Sequence, residues 1–311
     1  MKYISIGNGA FSASEIALGC MRINGLSDKQ AETLVNTALE QGIDFFDHAD
    51  IYGGGKSEEV FADALHMNDD VRETILIQTK CAIHDGYYDF SKKHILRSVE
   101  GSLRRLRTDY IDVLLLHRPD ALMEPEEVAE AFAELRTSGK VRYFGVSNQN
   151  PYQMELLQKY LQDRIIINQL QLSLTNTGMI DAGINVNTQF DGAVDRDGSV
   201  LDYCRLHDIT IQPWSPLQYG FFEGVFLGSD KYSELNAAIG ELARKYDVSD
   251  TAIAFAWLLR HPAKMQPIAG TTNPQRLADI CQASEIPVIA AGNIKRMEDV
   301  KKLIYAGCAK V

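Results

Sequence analysis

At 311 residues the chain can form one barrel-sized domain or two smaller ones. Its net charge of −11 argues against a nucleic-acid or anionic-membrane surface. Five scattered cysteines, Cys20, Cys81, Cys204, Cys281 and Cys308, form no CxxC pair, which fits buried free thiols in a reducing compartment better than disulfides or a zinc site.

The N-terminus, MKYISIGNGAFSASE, has no apolar signal core, and no apolar run approaches the ~18 residues of a membrane span. A soluble, cytoplasmic protein is expected. Met1 to Ser14 reads as two short strands around Gly7-Asn8-Gly9, a hairpin placed as a lid. After it, predicted strands alternate with helical patterns. The strands are 15–19, 43–47, 74–80, 111–117, 141–147, 165–169, 210–214 and 265–270. The helices are 28–42, 57–66, 91–107, 125–138, 152–161, 199–207, 234–246, 251–260 and 274–284. Residues 173–198, rich in Asn, Asp, Gly and Thr, read as a long polar connection, of the kind that is functional or mobile.

Eight strictly alternating units in this length predict an α/β fold, a (β/α)8 TIM barrel with an N-terminal β-hairpin. A doubly wound open sheet is the alternative, weakened because no GxGxxG follows a strand. Gly55-Lys56-Ser57 resembles the end of a P-loop, but Asp50 stands where that motif needs glycine.

Barrels of this kind carry their sites at the C-terminal ends of the strands. Here the ends are Asp47, Lys80, His117, Ser147-Asn148, Gln169, Trp214 and Gly270-Thr271-Thr272. A lysine and a histidine closing apolar runs are costly when buried unless they are paired. Tyr52, in the Gly-rich turn after Asp47, is a weak acid that a neighbouring ammonium would strengthen. Taken alone, Tyr52 reads equally as a surface residue of a strand-turn-helix corner. Tyr87 and Tyr88 are candidates for a pocket wall, and Met21 and Arg22 belong near the site floor.

The pieces DHADIYGGGKSEE, ILIQTK, IDVLLLHRPD, VRYFGVSN, INQLQLS, WSPL and IAGTTNPQR, in that order, resemble the aldo-keto reductase superfamily over about residues 2 to 284. The resemblance implies a catalytic tetrad of Asp47, Tyr52, Lys80 and His117. Tyr52 would be the general acid, Lys80 held by Asp47 would lower its pKa, and His117 would orient a carbonyl. It also implies that Ser147, Asn148 and Gln169 hold the nicotinamide carboxamide, and that Trp214 stacks on the ring. Ser215 and Leu217 would line the pyrophosphate path, and Gly270, Thr271, Thr272 and Arg276 would surround the adenosine ribose. Arg276 favours the 2′-phosphate of NADPH over NADH.

The expected partner is therefore a small carbonyl substrate, with no nucleic acid, no membrane, no metal and a monomeric chain. A regulatory subunit that senses the nucleotide without turnover is the alternative. After Ser284 the resemblance stops. Residues 285–311 read as an extra C-terminal βα segment, resembling phosphate-binding barrels of the histidine-biosynthesis type and joined to a 1–284 reductase barrel. That segment alone raises the idea of a sugar-phosphate isomerase, but one βα unit cannot make such a site. The segment is expected to pack outside the barrel or beneath it and to supply no catalytic group.

Overall fold

A strand such as IDVLLL, with every residue buried, needs apolar surroundings on both faces, which a parallel sheet jacketed by helices provides. A computed structural model describes residues 1–286 and shows that the predicted runs build this arrangement. An antiparallel hairpin comes first, β1 (Tyr3–Ile6) and β2 (Phe11–Ser14). The barrel strands are β3 (Ala17–Gly19), β4 (Phe45–Asp47), β5 (Leu76–Cys81), β6 (Ile111–Leu116), β7 (Val141–Ser147), β8 (Ile165–Gln171), β9 (Thr210–Trp214) and β10 (Ile268–Ala269). They pair in the order β10-β3-β4-β5-β6-β7-β8-β9, all parallel. At the remaining seam, the Gln266 N–H donates to the Ile211 carbonyl at 3.0 Å.

The jacket is made of α1 (Asp28–Glu40), α2 (Lys56–Ala64), the short α3 (Asp69–Arg72), α4 (Lys92–Leu106), α5 (Pro125–Thr137) and α6 (Pro151–Gln158), followed by α7 (Gly178–Ile184), α8 (Val200–Leu206), α9 (Ser233–Tyr246), α10 (Asp250–Leu259) and α11 (Pro274–Cys281). None of the described helices is long and apolar enough to cross a membrane.

Strand alternation sorts the barrel interior into three levels. The lowest is apolar: Phe45, Val113, Ile167 and Ile268 meet Ile6, Phe11 and Ala13 of the hairpin. The hairpin is fastened there by Gly7 N–H to Thr210 Oγ1 at 3.1 Å and by the Tyr143 hydroxyl to the Ala10 carbonyl at 2.8 Å. It therefore plugs the N-terminal end of the barrel and is not a lid over the strand ends. Gly7 has φ of +56°, and a Cβ there would lie 2.5 Å from Ile166 Cβ, so the plug fits only with glycine at this corner.

The middle level is a chain of glutamine amides. Gln266 Nε2 donates to the Ser14 carbonyl (2.7 Å), and Gln212 Nε2 donates to Gln266 Oε1 (2.9 Å). Gln78 and Gln169 both donate to Gln212 Oε1 (2.8 and 3.2 Å) and to Asp47 Oδ1 (2.6 and 3.0 Å). This polar run crosses the core and ends at the upper, charged level, where Asp47 and Lys80 lie.

The reading of the long connection changes as well. The connection 173–198 is not a bare loop, because its polar stretch contains α7 and a 3-10 turn at Asp191–Ala193. The expected ninth strand and helix of the tail fall in residues 287–311, outside the described residues.

Gln212→Met keeps the volume but removes the acceptor of two buried amides. At about 1–3 kcal/mol for each unsatisfied group, the cost should be roughly 2–6 kcal/mol. Urea unfolding measures it, and a loss below about 0.5 kcal/mol would show that the glutamine chain is not coupled to stability.

Candidate active site

Lys80 sits on β5 between Thr79 and Cys81, so alternation turns it into the barrel while Thr79 faces the jacket. Its ammonium is fully buried. Its three protons have three acceptors: Asp47 Oδ2 at 2.9 Å, the His48 carbonyl at 2.7 Å and the Tyr52 hydroxyl oxygen at 3.1 Å. Burial pulls the Lys80 pKa down, but Asp47 and Tyr52 outweigh it and the net shift is upward. The lysine is a fixed cation and is not a proton donor at neutral pH.

Tyr52 reaches this point through its turn. Gly53, Gly54 and Gly55 all have left-handed φ (+59°, +64° and +94°), which returns the chain sharply into α2. On the jacket side Glu58, wholly buried on α2, accepts from Thr79 Oγ1 (2.7 Å) and pairs with Arg105 Nε (2.7 Å). The helix after Tyr52 is thus bonded to the strand that carries Lys80.

The Tyr52 pKa differs from the expected direction. Burial raises it, Lys80 lowers it and Asp47 raises it again, and the result lies above the ordinary 10.0. Lys80 opposes the rise without reversing it. His117 stands edge-on to Tyr52, with ring centroids 5.8 Å apart. Burial, then Lys80 and Arg118, push its pKa well below 6.5, so its imidazole is neutral. Its Nδ1 has no hydrogen-bond partner among the described residues. Asp47, Tyr52, Lys80 and His117 therefore meet in one place.

The other predicted residues divide into two groups. Ser147, Asn148, Gln169 and Trp214 form a connected rim. The Ser147 hydroxyl donates to the Gln169 carbonyl (3.1 Å), Asn148 Nδ2 donates to Ser147 Oγ (2.6 Å), and Trp214 Nε1 donates to Asn148 Oδ1 (3.1 Å). The Gln169 amide is turned inward onto Asp47 and Gln212. Ser215, with φ of +50°, and Leu217 continue from Trp214. Gly270, Thr271, Thr272 and Arg276 gather at the N-terminus of α11, where Asn273 Oδ1 caps the Arg276 N–H at 3.0 Å. The Arg276 side chain is exposed and makes no ion pair among the described residues. Arg22 donates to the Gly270 carbonyl, which puts it beside this second group.

Sequence reasoning missed Arg118, Phe221 and Phe222. The Arg118 guanidinium lies 5.6 Å from the Trp214 ring centroid and 5.4 Å from that of Phe221, and Phe222 leans on Trp214. The position of Arg118, directly after His117, was the available signal. Burial lowers the Arg118 pKa, and Tyr88 lies close enough to oppose that fall without reversing it, whereas Tyr87 stacks on His84.

Comparison with known proteins agrees with this geometry. The profile of the Aldo/keto reductase family matches residues 15–302, so it continues past Ser284 into the segment read as another kind of barrel. The chain is 39% identical to the uncharacterized oxidoreductase YcsN of Bacillus subtilis (strain 168), over 85% of this chain and 87% of that protein. It is 35% identical to a 6-dehydroglucose reductase of Agrobacterium fabrum, over 88% and 89% of the two chains. The crystal structure of the thermostable aldo-keto reductase Tm1743 superposes with a TM-score of 0.79, at 27% identity, covering 99% of this chain and all of that one. The chain belongs to the aldo/keto reductase family, oxidoreductases that use NADP(H).

Proposed function

We propose that the protein reduces an aldehyde or ketone to an alcohol with NADPH, and that Tyr52 is the general acid. The observation that carries this reading is the count of protons around Lys80. The ammonium spends one proton on the Tyr52 oxygen, so that oxygen accepts from below and its own O–H is free to donate elsewhere. Because the phenol sits above its ordinary pKa, it is protonated before reaction. As charge builds on a carbonyl oxygen, Tyr52 releases its proton to it, and Lys80 stabilises the phenolate left behind. Neutral His117 offers its single N–H to the same oxygen and fixes its direction.

NADPH would supply the hydride. The residues on this chain suit it: Trp214 offers an aromatic face at the rim, and Asn148 can exchange its bond to Trp214 for a carboxamide. Arg276, exposed on the first turn of α11, suits a phosphate on the ribose. Gln169 fits less simply, since its amide already serves Asp47 and its part in holding the cofactor requires that bond to be shared.

Tyr52→Phe should slow reduction by about 10²-fold or more while NADPH affinity changes little. Near-normal turnover in that variant would remove Tyr52 from the acid role. Arg276→Ala should weaken NADPH by about 1.5–3 kcal/mol and leave NADH nearly untouched. Fluorescence titration with each nucleotide reads this, and equal losses would mean that Arg276 does not meet the 2′-phosphate. The pH profile is a third check. With Tyr52 raised above 10.0 and His117 well below 6.5, kcat/KM for reduction should be flat from about pH 6 to about pH 9. A break near neutrality would assign the acid to another group.

A further inference from the structure

The loop between β5 and α4 carries a cluster that the reduction does not use. His84 Nε2 is 3.1 Å from His94 Nδ1 and 3.9 Å from Asp89 Oδ2, and the three ligand atoms lie within 4.8 Å of one another. We infer that His84, His94 and Asp89 form a binding site for a late first-row divalent ion, with Zn2+ as the natural candidate.

The hydrogen bonds around His94 support this. The Ser98 hydroxyl donates to Asp50 Oδ2 at 2.7 Å, so its oxygen accepts from His94 Nε2 at 3.3 Å. That places the His94 proton on Nε2 and leaves the Nδ1 lone pair aimed at His84. A histidine oriented through its far nitrogen by a hydroxyl and a carboxylate is the arrangement that supports metal ligands. On the other side, Asp89 Oδ1 is engaged by the Ser91 N–H (2.8 Å), which turns Oδ2 toward the histidines.

The loop is already shaped for the task. His84 N–H bonds to the Tyr87 carbonyl (2.9 Å) and Asp89 N–H to the Ala82 carbonyl (3.0 Å), while the His84 ring stacks on Tyr87 at 4.6 Å. Tetrahedral zinc with bonds near 2.0–2.1 Å separates its ligand atoms by about 3.3 Å. The two nitrogens already stand near that separation and their rings need only turn toward a shared point, while Asp89 must close from 3.9 Å on His84 and from within 4.8 Å on His94. His84 then carries its proton on Nδ1, and no proton is gained or lost. Side-chain exposures of 24% for His84 and 30% for Asp89 leave an entry path. Two imidazoles and one carboxylate favour zinc, cobalt or nickel over magnesium and calcium.

The N-terminus of α4 and its lysines oppose a cation, but the Lys92 ammonium is held by Glu130 (3.2 Å) and Glu134 (3.4 Å). Occupation would clamp the loop that carries Tyr88 toward Arg118, without entering the hydride transfer itself.

The test uses the full chain without an affinity tag and with Cys308→Ser, which removes the thiol outside the described residues; the four described cysteines are buried. Calorimetry with Zn2+ should give one ion per chain, and Co2+ should show the intense visible bands of a four-coordinate site. His84→Ala and Asp89→Asn should each weaken zinc by about tenfold or more. Asp89→Asn keeps the oxygen that accepts from Ser91, so it decides the matter if His84→Ala does not fold. Absence of binding at millimolar zinc, or binding unchanged in these variants, overturns the proposal.

Discussion

The upper half of the barrel depends on keeping one ammonium group, that of Lys80, ionised without water. An unpaired buried cation is prohibitively costly, and a lone carboxylate partner often fails to repay the desolvation of both. Here the partner is itself supported, since Asp47 accepts from Gln78 and Gln169 as well as from Lys80. The remaining protons of the lysine go to a backbone carbonyl and to the phenol. Everything around it follows: amides must line the middle of the core, and the turn after β4 must bring Tyr52 back.

The two ends of the barrel divide the work. At the base the hairpin and the apolar layer give the strands a sealed footing, and Arg72 holds Asp112 at 2.6 Å where that aspartate interrupts an apolar run. At the top the residues are polar, strained or exposed: Asn148 and Ser215 have left-handed φ, and Phe221 and Phe222 are open to solvent. Stability is concentrated at one end, which leaves the loops of the other free to serve recognition.

Much of this was legible in the sequence. The eight strands announced themselves as short apolar runs, and an ionisable or hydrogen-bonding group at most of their ends marked the rim. The meeting of Lys80 and His117 near Tyr52 was readable because both end strands too apolar to hold them unpaired. Other features were not readable, for physical reasons. Gln78, Gln212 and Gln266 look like ordinary polar residues until barrel closure brings them together. The direction of the Tyr52 shift depends on how deeply burial competes with Lys80, which residue spacing does not report. The helix within 173–198 was hidden by its glycines and asparagines, and the hairpin's end of the barrel could not be told from pattern alone.

The glutamine chain also bears on how the protein is made. Asp47 and Lys80 leave the ribosome early, but Gln169 follows Asp47 by 122 positions and Gln212 follows Gln78 by 134. Domains synthesised from the N-terminus fold only when their long-range contacts exist. Until β9 has emerged, Gln78 and Gln169 lack the Gln212 oxygen that accepts from both. The middle of the nascent core therefore stays open to water, and Lys80 gains its dry surroundings only once the chain is nearly complete.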